Sequence, residues 1–410
     1  QSGTNYMIPS YIYVRPDGFY LHRPFDGGME IGTSKSPNSR ISRQTRKYFR
    51  YQSGKGIQTS LAINFSPQVP IINLTYQATG VNVSQVASMS SGSTTMTVTD
   101  SSSFVVGMIV EGTDIPAGTR IESITDATTI ELTLACTGAI ASGTIDFKKK
   151  VLATATCTKP HQLSAGLKIK VIKGDTTAFN VEGPVETIVD DFSFTYLLID
   201  EPLATKCGGF PTLSVISWSG CDIRCGMFDD QNGFFFEYNG STLNCCRRSS
   251  VQQIPGRVSV EKQSHIITGT DTMFTSELQR DDLIVIRGMT YKIVKVTSDT
   301  QVTVQPSYRG VTNSDVIMTK TVDTKVGQAD WNIDKADGNG KSAYILDITK
   351  IQMAYMDYSW YGAGKIRFGF KDQHGHVKYF HQFKHNNLLT ESYFRSGNLP
   401  ARYEIENGDA

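Results

Sequence analysis

QRDDLIVIRG (279–288), followed by YKIVKVTSDTQVTV (291–304), is an apolar strand that runs into a glycine, then two alternating strands joined by a polar bend. The same phrase occurs twice more in other letters. VVGMIVEG (105–112) precedes RIESITDATTIELT (120–133), and SAGLKIKVIKG (164–174) precedes VETIVDDFSFTYLL (185–198). Apolar residues alternate with polar ones in each, which is the period of a strand with one buried face. Gly112, Gly174 and Gly288 close the first strand of each copy. A β-unit used three times, with no catalytic residue common to the copies, suits a chain that extends and makes contacts.

The bulk properties fit a β-rich protein of several domains. The chain has 410 residues, enough for two to four domains with cores of their own. Gly, Thr, Ser, Tyr and Phe are plentiful and long Leu/Ala/Glu/Lys runs are missing, which favours strands and turns. A formal net charge of +1 gives no bulk attraction to nucleic acid or to an anionic membrane. No apolar run reaches the roughly 20 residues of a membrane-spanning helix. Gln1 in place of Met, with no leader pattern, points to an excerpt or a processed product.

Pattern breaks divide the chain. Residues 1–33 are a turn-rich N-terminal arm of the kind that lies on a neighbouring subunit. A Ser/Thr-rich linker leads into the first module at 94–149; the second follows at 150–205 and the third occupies 260–318. The remaining segments (34–80, 206–258 and 320–407) read as one discontinuous host domain. The fold expected is all-β: an antiparallel sandwich, with a jelly roll as one form it could take, interrupted by small β-barrels. Insertion into loops is cheap because closure entropy grows slowly with loop length.

Few residues suggest chemistry. Lys35, Arg40, Arg43, Arg46, Lys47, Arg50 and Lys55 alternate with Tyr48, Phe49 and Tyr51, a pattern able to neutralise phosphates and stack on bases. In a chain of near-zero net charge, a charged face meeting solvent or an acidic neighbour is the better reading, so nucleic acid is disfavoured. The ring-rich stretch YMDYSWY (355–361), with Tyr358 and Trp360, could stack on a sugar, although an aromatic strand buried in a sandwich is the commoner explanation. The candidate interaction surface is therefore Arg40, Arg43, Arg46, Lys47, Arg50, Tyr358 and Trp360.

No cofactor or metal is expected. Cys221, Cys225, Cys245 and Cys246 depart from zinc-knuckle spacing, and Cys245 and Cys246 point to opposite faces of a strand. The seven cysteines read as reduced core residues. His381 and His385 share a strand face but stand roughly 13 Å apart, too far to hold one ion. His374 and His376 sit in a turn. Asp190–Asp191, Asp229–Asp230 and Asp281–Asp282 fall at turns or strand starts and do not face each other across a cleft. DKADGNG (334–340) resembles half of a calcium loop without the closing Glu. Catalysis is not expected.

The host segments resemble a known group of proteins. RPFDGGMEIG (23–32), RQTRKYFRYQSGKGIQTSLAINFSP (43–67), residues 328–387 and LPARYEIEN (399–407) are similar to elements of structural proteins of tailed bacteriophages. The likeness is greatest to contractile-tailed phages of marine cyanobacteria. In this chain the pattern falls on Trp331, Asp337, Gly338, Gly340, Asp347, Lys350, Asp357, Tyr358, Trp360, Gly362, Gly364, Ile366, Arg367, Phe368, Gly369 and Phe370. The resemblance implies a virion component, in the tail rather than the capsid, assembled in the host cytoplasm. Its partners would be copies of itself and other virion proteins. Alternatives are a receptor- or glycan-binding fibre protein contacting host surface glycan, a capsid-surface protein, and a polysaccharide depolymerase.

Overall fold

The structure, a computed structural model, describes residues 10–14, 17–23, 27–34, 36–52 and 54–408. Strands dominate and pair antiparallel throughout; the longest helix among the described residues is the four-residue Phe274–Glu277. The chain forms two compact units, Gln1–Phe65 with Ser219–Ala410, and Ser66–Trp218.

The first unit holds an antiparallel β-sandwich. One layer runs, in spatial order, Ser10–Val14, Arg40–Thr45, Ala401–Asn407, Cys221–Phe228, Gly233–Tyr238, Leu243–Gln253 and Met318–Gly327. The other runs Val377–Lys384, Lys365–Lys371, Gln352–Tyr358 and Ile57–Ile63. Between them lies an aromatic core: Phe236 stacks on Phe370 at 4.7 Å, meets Phe368 edge-on at 5.2 Å, and Phe234 lies 4.8 Å from Tyr358. Such pairs add roughly 0.5–1.5 kcal/mol each beyond area burial. Every residue of GFFFEY (233–238) is buried because both faces are covered: Phe234, Phe236 and Tyr238 face one side, and Phe235 shares the other with Glu237. The WYGAG turn is tight: a Cβ on Gly364 would lie 1.8 Å from the carbonyl oxygen of Ser359. Only glycine permits that approach.

All three modules are six-stranded barrels of one topology. Number the strands of each in chain order. In the first they are Val83–Met89, Thr95–Val98, Ile109–Glu111, Ile121–Ile124, Thr129–Leu132 and Ile140–Lys148. In the second they are Val69–Thr79, Lys150–Cys157, Lys168–Gly174, Glu182–Ile188, Ser193–Leu197 and Gly209–Val215. In the third they are Arg257–Val260, Ile266–Thr270, Leu283–Ile286, Met289–Ser298, Gln301–Gln305 and Asn313–Val316, which runs on into Met318–Gly327. In each the first strand pairs with the second, the second with the fifth, the fifth with the fourth, and the third and first with the sixth. Third and fourth strands also meet, through a single bridge (Ile109 to Arg120) in the first barrel.

One backbone clasp recurs. A residue with positive φ (Gly107, Gly166, Asp281) precedes the third strand. Its N–H donates to the carbonyl of Ile121, Val185 or Ile293, 2.8 Å away in each case. The N–H of that same strand residue returns a bond of 2.8–2.9 Å to the carbonyl of Met108, Leu167 or Asp282. Gly112, Gly174 and Gly288 therefore end equivalent strands, although among them only Gly288 has a positive φ.

The barrels are nested in sequence. The first interrupts the loop between the first and second strands of the second barrel, where Thr79 and Lys150 are direct cross-strand partners. The expected boundaries shift accordingly. Residues 69–79 and 209–215, assigned to the host domain by sequence, close the second barrel, and the first begins at Val83 instead of at the linker. The reason is that Val69–Thr79 alternates as any half-buried strand does, and its partner Lys150–Cys157 lies far downstream, beyond an insertion. Each barrel has an apolar core, for instance Met96, Ile130, Leu132 and Phe147 in the first and Phe179, Phe194 and Tyr196 in the second.

Candidate interaction site: a cationic turn beside a buried ionic ladder

The basic segment splits by strand alternation. On Arg40–Thr45, Arg40, Ser42 and Gln44 face one side while Ile41 and Arg43 face the other. Arg43 is half-buried opposite Tyr403. Beyond the strand, Arg46, Lys47 and Arg50 are exposed, as is Tyr48, and none of these three cations is ion-paired among the described residues. Lys35 lies outside the described residues.

Arg40 is not a surface residue. Its guanidinium sits 2.7 Å from Glu404 and 2.8 Å from Asp230. Burial alone would push it down; Glu404 and Asp230 outweigh this and hold it above the usual arginine range. It is one end of a ladder across the sheet face opposite the aromatic core. Arg224 is the centre, with bonds to Glu237 (2.8 Å), Glu404 (2.9 Å), Glu406 (2.7 Å) and Asp222 (2.7 Å). Lys325 reaches the second oxygen of Glu237 at 2.7 Å. Arg402 pairs with Glu404 and Asp230, and Arg248 forms a two-pronged pair with Asp323 at 2.8 Å. Glu237 and Glu404 have no exposed side-chain surface, and that of Arg224 is 8% exposed.

Neighbouring guanidinia hold two of these carboxyls low. Desolvation opposes ionisation of Glu404, but Arg402, Arg40 and Arg224 overcome it and hold the carboxyl far below its ordinary value. Asp230 is held at about 2: burial raises it, and the Arg402 and Arg40 guanidinia more than reverse that. Asp222, nearer the rim, goes the other way, because burial there exceeds the attraction of Arg224. Arg248 and Arg402 also lie over the Phe228 ring, at 5.7 and 5.2 Å. This layer can fix strand register, since a one-residue slip would place each charge in the aromatic core.

Two ring predictions resolve differently. Tyr358 is buried in the sandwich and donates to the Gly397 carbonyl at 2.5 Å, so it is no surface residue. Trp360 is half-buried, with Nε1–H bonded to the Phe394 carbonyl at 3.1 Å. The exposed ring of that stretch is Tyr361. The structure thus leaves Arg46, Lys47 and Arg50 exposed in the segment that follows the strand and draws Arg40, Arg43, Tyr358 and Trp360 inward. Sequence reasoning missed Arg224, Glu237, Arg402 and Glu404. The signal was present as charges at every second position of CDIRCGMF and ARYEIEN, which reads equally as a solvent-facing side.

The other candidates take structural places. His381 and His385 are buried, and His385 stacks on Tyr393 at 4.0 Å. Asp334 accepts from the Ala336 and Ser342 amides, ordering its own loop. Six cysteines are buried and Cys221 is half-buried, and none forms a disulfide among the described residues. No described helix is long and apolar enough to cross a membrane.

In comparisons with known proteins, no family model and no curated protein matches this chain.

Proposed function

We propose that the chain is a structural protein of a tailed-phage virion, built into the tail, baseplate or fibre-attachment region through contacts with its own copies and with other virion proteins. The observation that carries this reading is one barrel topology used three times, each copy hung in a loop of the sandwich or of another barrel. Such insertion multiplies outward surface while leaving the host strands paired. The resemblance of 23–32, 43–67, 328–387 and 399–407 to phage structural proteins supports the same reading.

Surfaces suited to neighbours support it too. The hairpin of Phe19–Arg23 with Gly28–Gly32 joins no other sheet among the described residues, and Phe19, Tyr20 and Leu21 are exposed. A lone two-stranded hairpin is marginal in water, so covering it on a neighbouring subunit would be favourable. Its base is anchored, since Asn407 donates to the carbonyls of Ser34 and Ser36 at 2.6 and 2.9 Å. On the second barrel, Phe210 and Ile72 stand two residues beyond the Thr212–Pro70 pair on adjacent strands, 88% and 63% exposed. Mass spectrometry of purified particles tests the proposal: the chain is expected among the virion proteins, and its absence would refute the assignment.

A further inference from the structure

Segment 386–399 links Val377–Lys384 in the second layer of the sandwich to Ala401–Asn407 in the first. Apart from one bridge, Phe49 to Leu399, no strand ladder holds it among the described residues. Leu388 and Leu389 are exposed, whereas Tyr393 and Phe394 are buried, so the segment is a strap pinned by a two-residue plug. The plug sits on the WYGAG turn. The Tyr393 N–H donates to the Gly362 carbonyl at 3.0 Å, and its hydroxyl to the Ser359 carbonyl at 2.8 Å. Trp360 Nε1–H reaches the Phe394 carbonyl from the other side. Further along, the Arg395 N–H donates to Asn232 Oδ1 at 3.0 Å. A segment held by a few such bonds opens more readily than the paired strands around it.

His385 stands at the base of the strap. Its ring lies flat on Tyr393, with 4.0 Å between centroids and 9° between planes. Its Nδ1 is 2.7 Å from the Gly364 carbonyl oxygen. Only an N–H can donate to a carbonyl, so Nδ1 carries the hydrogen of the neutral ring and Nε2 keeps a lone pair. Nε2 is buried and has no hydrogen-bond partner. A proton added there makes a buried cationic N–H with no acceptor. The surroundings supply no counter-charge either. From the first layer Arg247 faces the site across Phe383, its guanidinium 5.9 Å from that ring and bonded to Thr324 Oγ1 at 3.1 Å. The strap contributes Tyr393, with Tyr51 and Tyr358 behind it; the turn contributes a carbonyl; and the strand of His385 contributes the buried His381. No carboxylate acts on His385 or Arg247 among the described residues. Protonation would therefore set two unmatched cations in one buried layer, a cost relieved only by separation or by water.

We propose that His385 is an acid-operated latch: its protonation releases the strap 386–399 from the WYGAG turn and uncovers Trp360, while the strands of the two layers stay paired. The latch goes beyond the structural role and stands whether or not the chain sits in a particle. Burial lowers His385 from 6.5 to about 4, with the Gly364 bond opposing the shift and Arg247 adding to it. The closed strap thus excludes a proton that the open strap accepts. Between pH 7 and pH 4.5 this difference makes the open form on the order of 50-fold more frequent.

Hydrogen–deuterium exchange of the full chain tests it, read by mass spectrometry at pH 7 and pH 4.5 and corrected for the intrinsic rate at each pH. Peptides spanning 388–399 should lose protection by on the order of 50-fold. Those spanning 233–238 should stay far better protected at both values. His385→Gln, whose amide can still donate to the Gly364 carbonyl, should abolish the loss, and His381→Phe, four residues along the same strand, should leave it in place. Arg247→Met removes the facing cation and should shrink the loss by about twofold or more, which keeps the test decisive if the His385 variant fails to fold. Strap peptides that exchange in step with 233–238 would overturn the proposal. So would a loss that survives in His385→Gln, one that His381→Phe removes as well, or one undiminished in Arg247→Met.

Discussion

Replacing Arg224 with Met should remove the centre of the ionic ladder while keeping side-chain volume. Four carboxylates lose a donor, at distances of 2.7–2.9 Å. The loss is not four full pairs. Glu404 keeps Arg40 and Arg402, Glu237 keeps Lys325, and Asp222 and Glu406 are about one-third exposed. Removing one partner of a buried pair costs about 3–5 kcal/mol, because the remaining charge is stranded. That range is the expected destabilisation of the first unit. For a unit of this size it corresponds to a fall in Tm of roughly 6–20 °C. Tryptophan emission reads it directly: Trp331 and Trp360 lie in this unit, and a Trp218→Phe background silences the other. Adding Glu237→Gln should recover part of the loss, since the two residues share a bond. A loss under about 1 kcal/mol would refute the reasoning, because it would mean the ladder behaves as a hydrated surface network.

Two further outcomes follow from the same geometry. Stability of the first unit should fall with acid in two stages: His381 and His385, lowered by burial from 6.5 to about 4, are neutral when folded and take up protons on unfolding, so stability declines from about pH 6.5 toward 4. Below about 4.5 the depressed Glu404, Glu406, Asp323 and Asp230 lose their contribution as they protonate; a pH series of urea midpoints checks both, with His381→Phe shrinking the upper stage and leaving the part that His385 supplies. Replacing Gly80–Lys149 by an Asn-Gly turn should leave the second barrel folded, because Thr79 and Lys150 already pair and become the ends of an ordinary hairpin. Loss of cooperative unfolding in that deletion would show that the nested barrel is not a separable insert.

Local chemistry made much of this architecture legible. The alternation in DLIVIRG and YKIVKVTSDTQVTV marked strands, and the repeated phrase marked three barrels whose clasps at Gly107, Gly166 and Asp281 prove equivalent. What escaped was pairing at a distance. Nothing in Val69–Thr79 tells that its partner is Lys150–Cys157 and not a nearer strand. The site was less legible for a related reason. Arg40 and Arg46 are the same residue type in one basic run, yet a strand direction buries the first against Glu404, and the end of that strand frees the second. Tyr358 and Tyr361 likewise differ in that the first ends a buried strand and the second lies in the WYGAG turn.

Incorporation into a particle is the central claim. Cryo-electron microscopy of intact virions is the direct measurement, because the fold has a shape that can be sought in density. The prediction is a fixed number of copies around the tail axis, each showing a two-layer sandwich and three six-stranded barrels. Particles that carry complete tails, baseplates and fibres without that density, or in which this chain is absent, would contradict it.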